Sequence, residues 1–158
     1  MFVWKWASAC LHWADPIPTC RTSPDSVDKR KVRGVLIDTS VWVSHFRVRN
    51  EALVDLIEND RALTHPMVLA ELSCGSLTLP RIQTLSKVEF LQKANQATLS
   101  EVRNFIEFER LHGLGCGIVD LMLLASTVIS PYVDLWTLDK RLEMLCKRFG
   151  VMHRVSLH

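Results

Sequence analysis

Four carboxylates stand where metal or acid–base chemistry would want them: Asp38, Glu71, Asp120 and Asp139. Asp38 ends the run Val35-Leu36-Ile37, and Asp139 follows Leu135-Trp136-Thr137, so each lies just past an apolar run that reads as a strand. Asp120 heads the apolar stretch Ile118–Ile129 and is the only charged residue between Arg110 and Asp134. Glu71 lies in the equally apolar Met67-Val68-Leu69-Ala70-Glu71-Leu72. A carboxylate on a mostly buried helix costs free energy unless it is paired or holds a cation. No Lys or Arg neighbours Glu71 or Asp120 in the chain. Hard oxygen donors without His or Cys partners select Mg²⁺ or Mn²⁺ over zinc.

Each acid also suits a purely structural role. Asp38 and Asp139 are placed to cap helices, Asp120 to partner a helix dipole in its first turn, and Glu71 to face solvent. Taken together, they would converge at one end of a sheet, and that convergence is what favours chemistry.

The elements that must position them follow from periodicity and punctuation. Strands are expected at 35–37, 61–64, 97–99 and 135–137, with a last edge strand over 152–157. Helices are expected from about Val41, over 51–59, from Pro66 to near Gly75, over 79–91, from an N-cap at Ser100 to 111, over 118–129, and from a cap at Asp139 to Phe149. Alternating strands and helices predict an α/β domain with a mainly parallel sheet. In such sheets ligands bind beyond the carboxyl ends of the strands, where the strand order reverses.

The 158 residues suffice for one domain, and 48% apolar with 23% charged residues is a globular balance. No apolar run is long enough for a membrane span. Residues 1–34 carry six basic and three acidic side chains, and residues 35–158 carry 13 and 14, so the globular part has no global basic field. Residues 1–14 hold three of the five tryptophans, and 15–34 have a linker composition. Lys5 interrupts any signal-peptide core. Residues 1–34 read as an extra segment, either disordered or translated from a start codon assigned too far upstream. The five cysteines form no C-x-x-C pair. Cys74, Cys116 and Cys146 read as small buried hydrophobes in a reducing compartment, which points to the cytoplasm.

The stretches VLIDTSVWVSHFR, THPMVLAELSCG, LHGLGCGIVDLMLLAS and LWTLDKRL, in that order, resemble the motifs of the PIN domain. More narrowly, they resemble the VapC-type ribonuclease toxins of bacterial toxin–antitoxin pairs. The resemblance runs from about Val35 to Val151. It implies a PIN-like three-layer α/β/α domain over 35–158 and a Mg²⁺-dependent endoribonuclease, with Mn²⁺ as a substitute ion. By resemblance, Asp38 and Asp120 are the principal metal ligands, and Glu71 and Asp139 complete the acidic pocket directly or through water. Ser40 and Thr137 supply supporting hydroxyls. The implied chemistry is in-line attack by a metal-activated water, leaving a 5′-phosphate and a 3′-hydroxyl. The resemblance also implies a cognate VapB-type antitoxin over the groove, and a homodimer through the early helices.

The loop Gly113-Leu114-Gly115-Cys116-Gly117-Ile118 departs from many relatives, which carry a basic residue near 114 and an aromatic at 118. With a net −1 over residues 35–158, RNA would be held locally, with Arg47, Arg49, Lys140 and Arg141 as candidates and a solvated helix face as their alternative. Gly113, Gly115 and Gly117 do not make a dinucleotide fingerprint. His45, His65 and His112 read as structural, and Trp42 with Phe46 as a packing or dimer face. A haloacid-dehalogenase-like phosphatase needs D-x-D, whose second acid is replaced here by Ser40, and a receiver domain needs a late-strand Lys that is missing. The remaining alternative is a PIN-fold interaction module without catalysis, against which the four acids speak.

Overall fold

The structure is a computed structural model, and it describes residues 33–76 and 80–155. Of the leading segment set apart in the sequence, all but Arg33 and Gly34 lies outside the described residues, as does the expected strand beyond 155.

Among the described residues the sheet has four parallel strands: β1 (Gly34–Ile37), β2 (Ala62–Thr64), β3 (Gln92–Lys93) and β4 (Val133–Trp136), ordered β3-β2-β1-β4. β1 is central because both its faces are covered. Val35, Leu36 and Ile37 are fully buried, and a continuous apolar run is what a parallel strand buried on both sides requires. β1 pairs Leu36 with Leu63 of β2 and with Leu135 of β4. The chain steps outward from β1 to β2 and β3, then returns to the other side of β1 for β4. The order therefore reverses at β1, and the crevice beyond β1 and β4 is the expected ligand position.

Parallel strands need crossover connections, and pairs of helices supply them: α1 (Thr39–Arg47) and α2 (Glu51–Glu58), α3 (Pro66–Cys74) and α4 (Arg81–Glu89), α5 (Leu99–Glu109) and α6 (Ile118–Val128); α7 (Lys140–Phe149) follows β4. The helices flank the sheet as a three-layer α/β/α domain. The apolar α6 packs against β4, α3, α5 and α7, while α2 lies on β2. Burial of Leu121 to Thr127 explains why α6 has almost no polar face.

Three expectations are corrected. The third strand is Gln92–Lys93, not 97–99, and it pairs with Leu63 and Thr64 through backbone alone. The 97–99 segment instead starts α5, whose N-cap is Thr98 and not Ser100. Thr98 Oγ1 accepts from the Glu101 amide at 3.3 Å, and Glu101 Oε2 accepts from the Thr98 amide at 2.7 Å, a capping box. The last strand is reduced, within the described residues, to a single bridge between Leu135 and Met152.

A candidate metal-dependent active site at the carboxyl edge of the sheet

Asp38 follows β1 directly and is 5% exposed. It is the N-cap of α1: Oδ1 accepts from the Thr39 amide at 2.7 Å. Oδ2 accepts from the hydroxyls of Ser40 and Thr137, the latter at 2.8 Å. Thr137 belongs to the turn after β4, so the two expected hydroxyls do meet the first carboxylate, one from each side of the crevice. Ser40 Oγ also accepts the Leu138 amide at 3.0 Å, and Thr137 Oγ1 the Asp139 amide at 3.0 Å. These bonds fix the β4–α7 turn onto the start of α1.

Asp139 caps α7. Its Oδ1 accepts from the amides of Arg141 and Leu142 at 2.8 and 3.0 Å. Asp120, in the first turn of α6, accepts the Gly117 amide on Oδ2 at 2.8 Å. Asp120 and Asp139 thus each commit one oxygen to a helix terminus. Among the described residues no hydrogen bond engages Asp120 Oδ1 or Asp139 Oδ2. Capping and chemistry are compatible: one oxygen is anchored and the other is presented. Three helix N-termini converge here, and their dipoles favour the negative charge they carry.

Glu71 is exposed on α3, and Oε2 accepts from the Thr39 hydroxyl at 2.6 Å. Thr39 adjoins Asp38, so this bond brings Glu71 to the rim of the same crevice. α3 is itself anchored by His65, whose Nδ1 accepts the Met67 amide at 3.1 Å and whose Nε2 contacts Ser126 Oγ at 3.2 Å. His65 is therefore structural, as expected, and it links the helix of Glu71 to the helix of Asp120.

The electrostatics show which acids share a field. Burial pushes the Asp120 carboxyl above the ordinary aspartate range, and the like charges of Asp38 and Asp139 add to it, against the hydrogen bond from Gly117. Burial likewise raises the Cys116 thiol, again with Asp120 and Asp139. Cys146 is pushed up to about 12 by burial first and by Asp38 next. Among the described residues, none of the four acids is ion-paired to Lys or Arg.

A carboxylate raised by burial and by neighbouring like charges, as Asp120 is, with no basic partner among the described residues, suits a hard divalent cation. Among the described residues, no group of three His, Cys, Asp or Glu is arranged to enclose an ion. A divalent cation there would be held by one or two carboxylates and would keep several waters.

Other expected residues are placed less centrally. Arg47 is exposed and lines a cleft with Thr39, Val43, Phe46, Glu71 and Leu72. Arg49 pairs with Glu51 at 2.7 Å, and Lys140 is exposed at the start of α7. Trp42 is buried and stacks on Phe46, centroids 5.9 Å apart, a packing contact within α1. Cys146 is buried as expected, whereas Cys116 is half-buried and Cys74 is exposed at the end of α3, where the helix runs out of core to cover it. No helix among the described residues is long and apolar enough to cross a membrane. Sequence reading missed Thr39 as the partner of Glu71. The signal was available only as the polar residue beside Asp38.

The PIN domain family model matches residues 35–147. Ribonuclease VapC32 of Mycobacterium tuberculosis, found in two strains, is 39% identical over 117 residues, which span 74% of this chain and 94% of that protein. With a parallel sheet that reverses order at β1 and acids gathered beyond it, the chain belongs to the PIN-domain family, in its VapC-type ribonuclease branch.

Proposed function

We propose that this protein is a Mg²⁺-dependent endoribonuclease, the toxin of a VapBC-type toxin–antitoxin pair acting in the cytoplasm, with Mn²⁺ able to replace Mg²⁺. The observation that carries the reading is the group Asp38, Asp120 and Asp139. They lie at the carboxyl edge of β1 and β4, share a field and have no basic partner among the described residues. The relative named as a ribonuclease supports it.

In this reading Asp38 and Asp120 hold the ion, and Glu71 and Asp139 complete its surroundings directly or through water. The chemistry that a bound divalent cation supplies is neutralisation of the phosphodiester and activation of a water for in-line attack. The chain's own residues do the rest. Ser40 and Thr137 orient Asp38. Gly117 orients Asp120. Thr39 holds Glu71 at the rim. Arg47, beside Glu71, is placed to attract the RNA backbone. The cleft of Val43, Phe46 and Leu72 next to Glu71 suits a VapB-type antitoxin segment covering the acids. We propose residues 35–158 as the working domain, with self-association through the early helices.

The test is cleavage of labelled RNA by the full chain, with and without Mg²⁺ or Mn²⁺, beside Asp120→Asn. Cutting that needs the metal and disappears in the variant supports the reading. Cutting that persists in the variant or without metal overturns it.

A further inference from the structure

The glycine-rich segment 113–117 stands between two of the acids. Its last residue donates a backbone amide to Asp120 Oδ2 at 2.8 Å. Its middle residue, Gly115, accepts from Arg141 Nη1 at 3.0 Å through the carbonyl oxygen. Arg141 is the second residue of α7, and its own amide is held by Asp139 Oδ1 at 2.8 Å. One chain of contacts therefore joins Asp139 to Asp120 by way of Arg141, Gly115 and Gly117.

Gly115 is required on two counts. Its φ is +79°, a conformation that other residues rarely adopt. A Cβ there would also lie 2.9 Å from Arg141 Nη1 and 3.1 Å from Cδ and Cζ. The guanidinium thus fills the space that a side chain would take. With glycines at 113, 115 and 117 the segment has many conformations open to it, and Arg141 is the side chain that selects this one. The bond is charge-assisted, stronger than a neutral one. A lysine cannot reproduce a flat, multi-donor group laid against the backbone.

We propose that Arg141 is a positioning residue. Its clamp on Gly115 holds the glycine-rich loop so that Asp120 keeps its place relative to Asp139, and position 115 is glycine to admit it. The sequence alone leaves Arg141 as one of four candidate phosphate contacts, and the geometry assigns it to the loop instead. The inference deepens the nuclease reading and rests on it for the kinetic readout only.

The test uses the full chain with Arg141→Gln, Arg141→Lys, Gly115→Ala and the double variant Arg141→Gln/Gly115→Ala. Arg141 is exposed, so its variants leave the core intact even where Gly115→Ala folds poorly. The first readout is hydrogen exchange of the Gly117 amide by NMR, which is independent of activity. It is expected to speed up in Arg141→Gln and in Arg141→Lys. The second is kinetic. In both Arg141 variants kcat is expected to fall about tenfold at unchanged KM, short of the roughly 10²-fold that a misplacement of about 1 Å costs. Gly115→Ala is expected to match them, and the double variant to be no worse than either single change, as for residues acting through one contact.

A Gly117 amide that does not move overturns the proposal. So does rescue of kcat by lysine, or additivity of the two substitutions. A raised KM with a salt dependence shallower by about one counterion marks a phosphate contact and overturns it too. If the wild type cuts no RNA, the nuclease reading fails while Gly117 exchange still decides the clamp.

Discussion

Thr137 Oγ1 donates to Asp38 Oδ2 at 2.8 Å across a sequence separation of 99 residues, and so fastens the end of β4 to the end of β1. The same hydroxyl accepts the Asp139 amide at 3.0 Å. One O–H thereby orients a buried carboxylate and sets the turn that presents a second. Thr137→Val keeps the shape and removes both bonds. The hydrogen bond to a charged group is worth about 1.5–3 kcal/mol, and each kcal/mol lowers Tm by roughly 2–4 °C in a chain of this size. Cleavage is expected to fall with stability, and Thr137→Ser to retain most of both. Thermal melts and kcat measured on the pair check this; a valine variant with unchanged Tm and rate would refute it.

The strands that carry Asp38 and Asp139 are readable from sequence because a strand buried on both faces is a short continuous apolar run. The residue ending it must then stand at the sheet's carboxyl edge. What sequence leaves open is whether such an aspartate caps or reacts. The structure shows that the cap at Asp139 uses Oδ1 alone, which leaves Oδ2 without a hydrogen bond among the described residues. β3 was not readable: Gln92 and Lys93 are both exposed and only their backbone pairs, so no apolar signal exists. The segment 97–99 alternates apolar and polar residues as a strand does, yet Thr98 starts a helix. The clamp of Arg141 on Gly115 spans 26 residues and depends on where two loops meet, which no local pattern encodes.

Asp120 is expected to carry a stability cost that a bound divalent cation would relieve. Its folded pKa is raised, chiefly by burial and then by Asp38 and Asp139. A raised folded pKa favours the fold below the unfolded value, and that advantage is lost as pH rises through the folded one. Ionised Asp120 therefore weighs against the metal-free fold at pH 7. Asp120→Asn, which keeps an acceptor for Gly117, is expected to raise Tm at pH 7 in EDTA, with the gain vanishing as pH falls below about 3.9. Mg²⁺ should then stabilise the wild type by about 2.7 kcal/mol at 100 times its Kd, and the variant hardly at all. Melts with EDTA and with Mg²⁺ separate the two effects, and a variant less stable than the wild type in EDTA would contradict this account.

His65 is expected to make the fold acid-sensitive. Nδ1 accepts the Met67 amide, so the ring proton sits on Nε2, facing Ser126 Oγ. Burial depresses its pKa. A depressed histidine pKa means that the unfolded chain binds the proton more readily. Stability is then full above the unfolded value of about 6.5 and declines as pH falls through the folded one. Protonation of Nδ1 also breaks the cap of α3, the helix that carries Glu71. His65→Asn retains a cap oxygen without a titrating ring, so its stability should decline less between pH 7 and pH 5. His45 and His153, also depressed by burial, leave a residual slope. Urea midpoints across this range provide the measurement, and parallel curves for variant and wild type would count against the assignment.

Asp139 offers the cleanest separation of cap from chemistry. Its Oδ1 holds the Arg141 and Leu142 amides at 2.8 and 3.0 Å, and that role needs an oxygen but no charge. Asparagine caps helices as well as aspartate does, whereas alanine costs about 0.5–2 kcal/mol at such a position. Asp139→Asn should therefore melt close to the wild type, and Asp139→Ala several degrees lower. If the free Oδ2 serves the metal or its water, both variants lose cleavage to a similar extent despite their different stabilities. Rates that track Tm across the two variants would reduce Asp139 to a cap. Rates that collapse together while Tm separates would place its charge in the reaction.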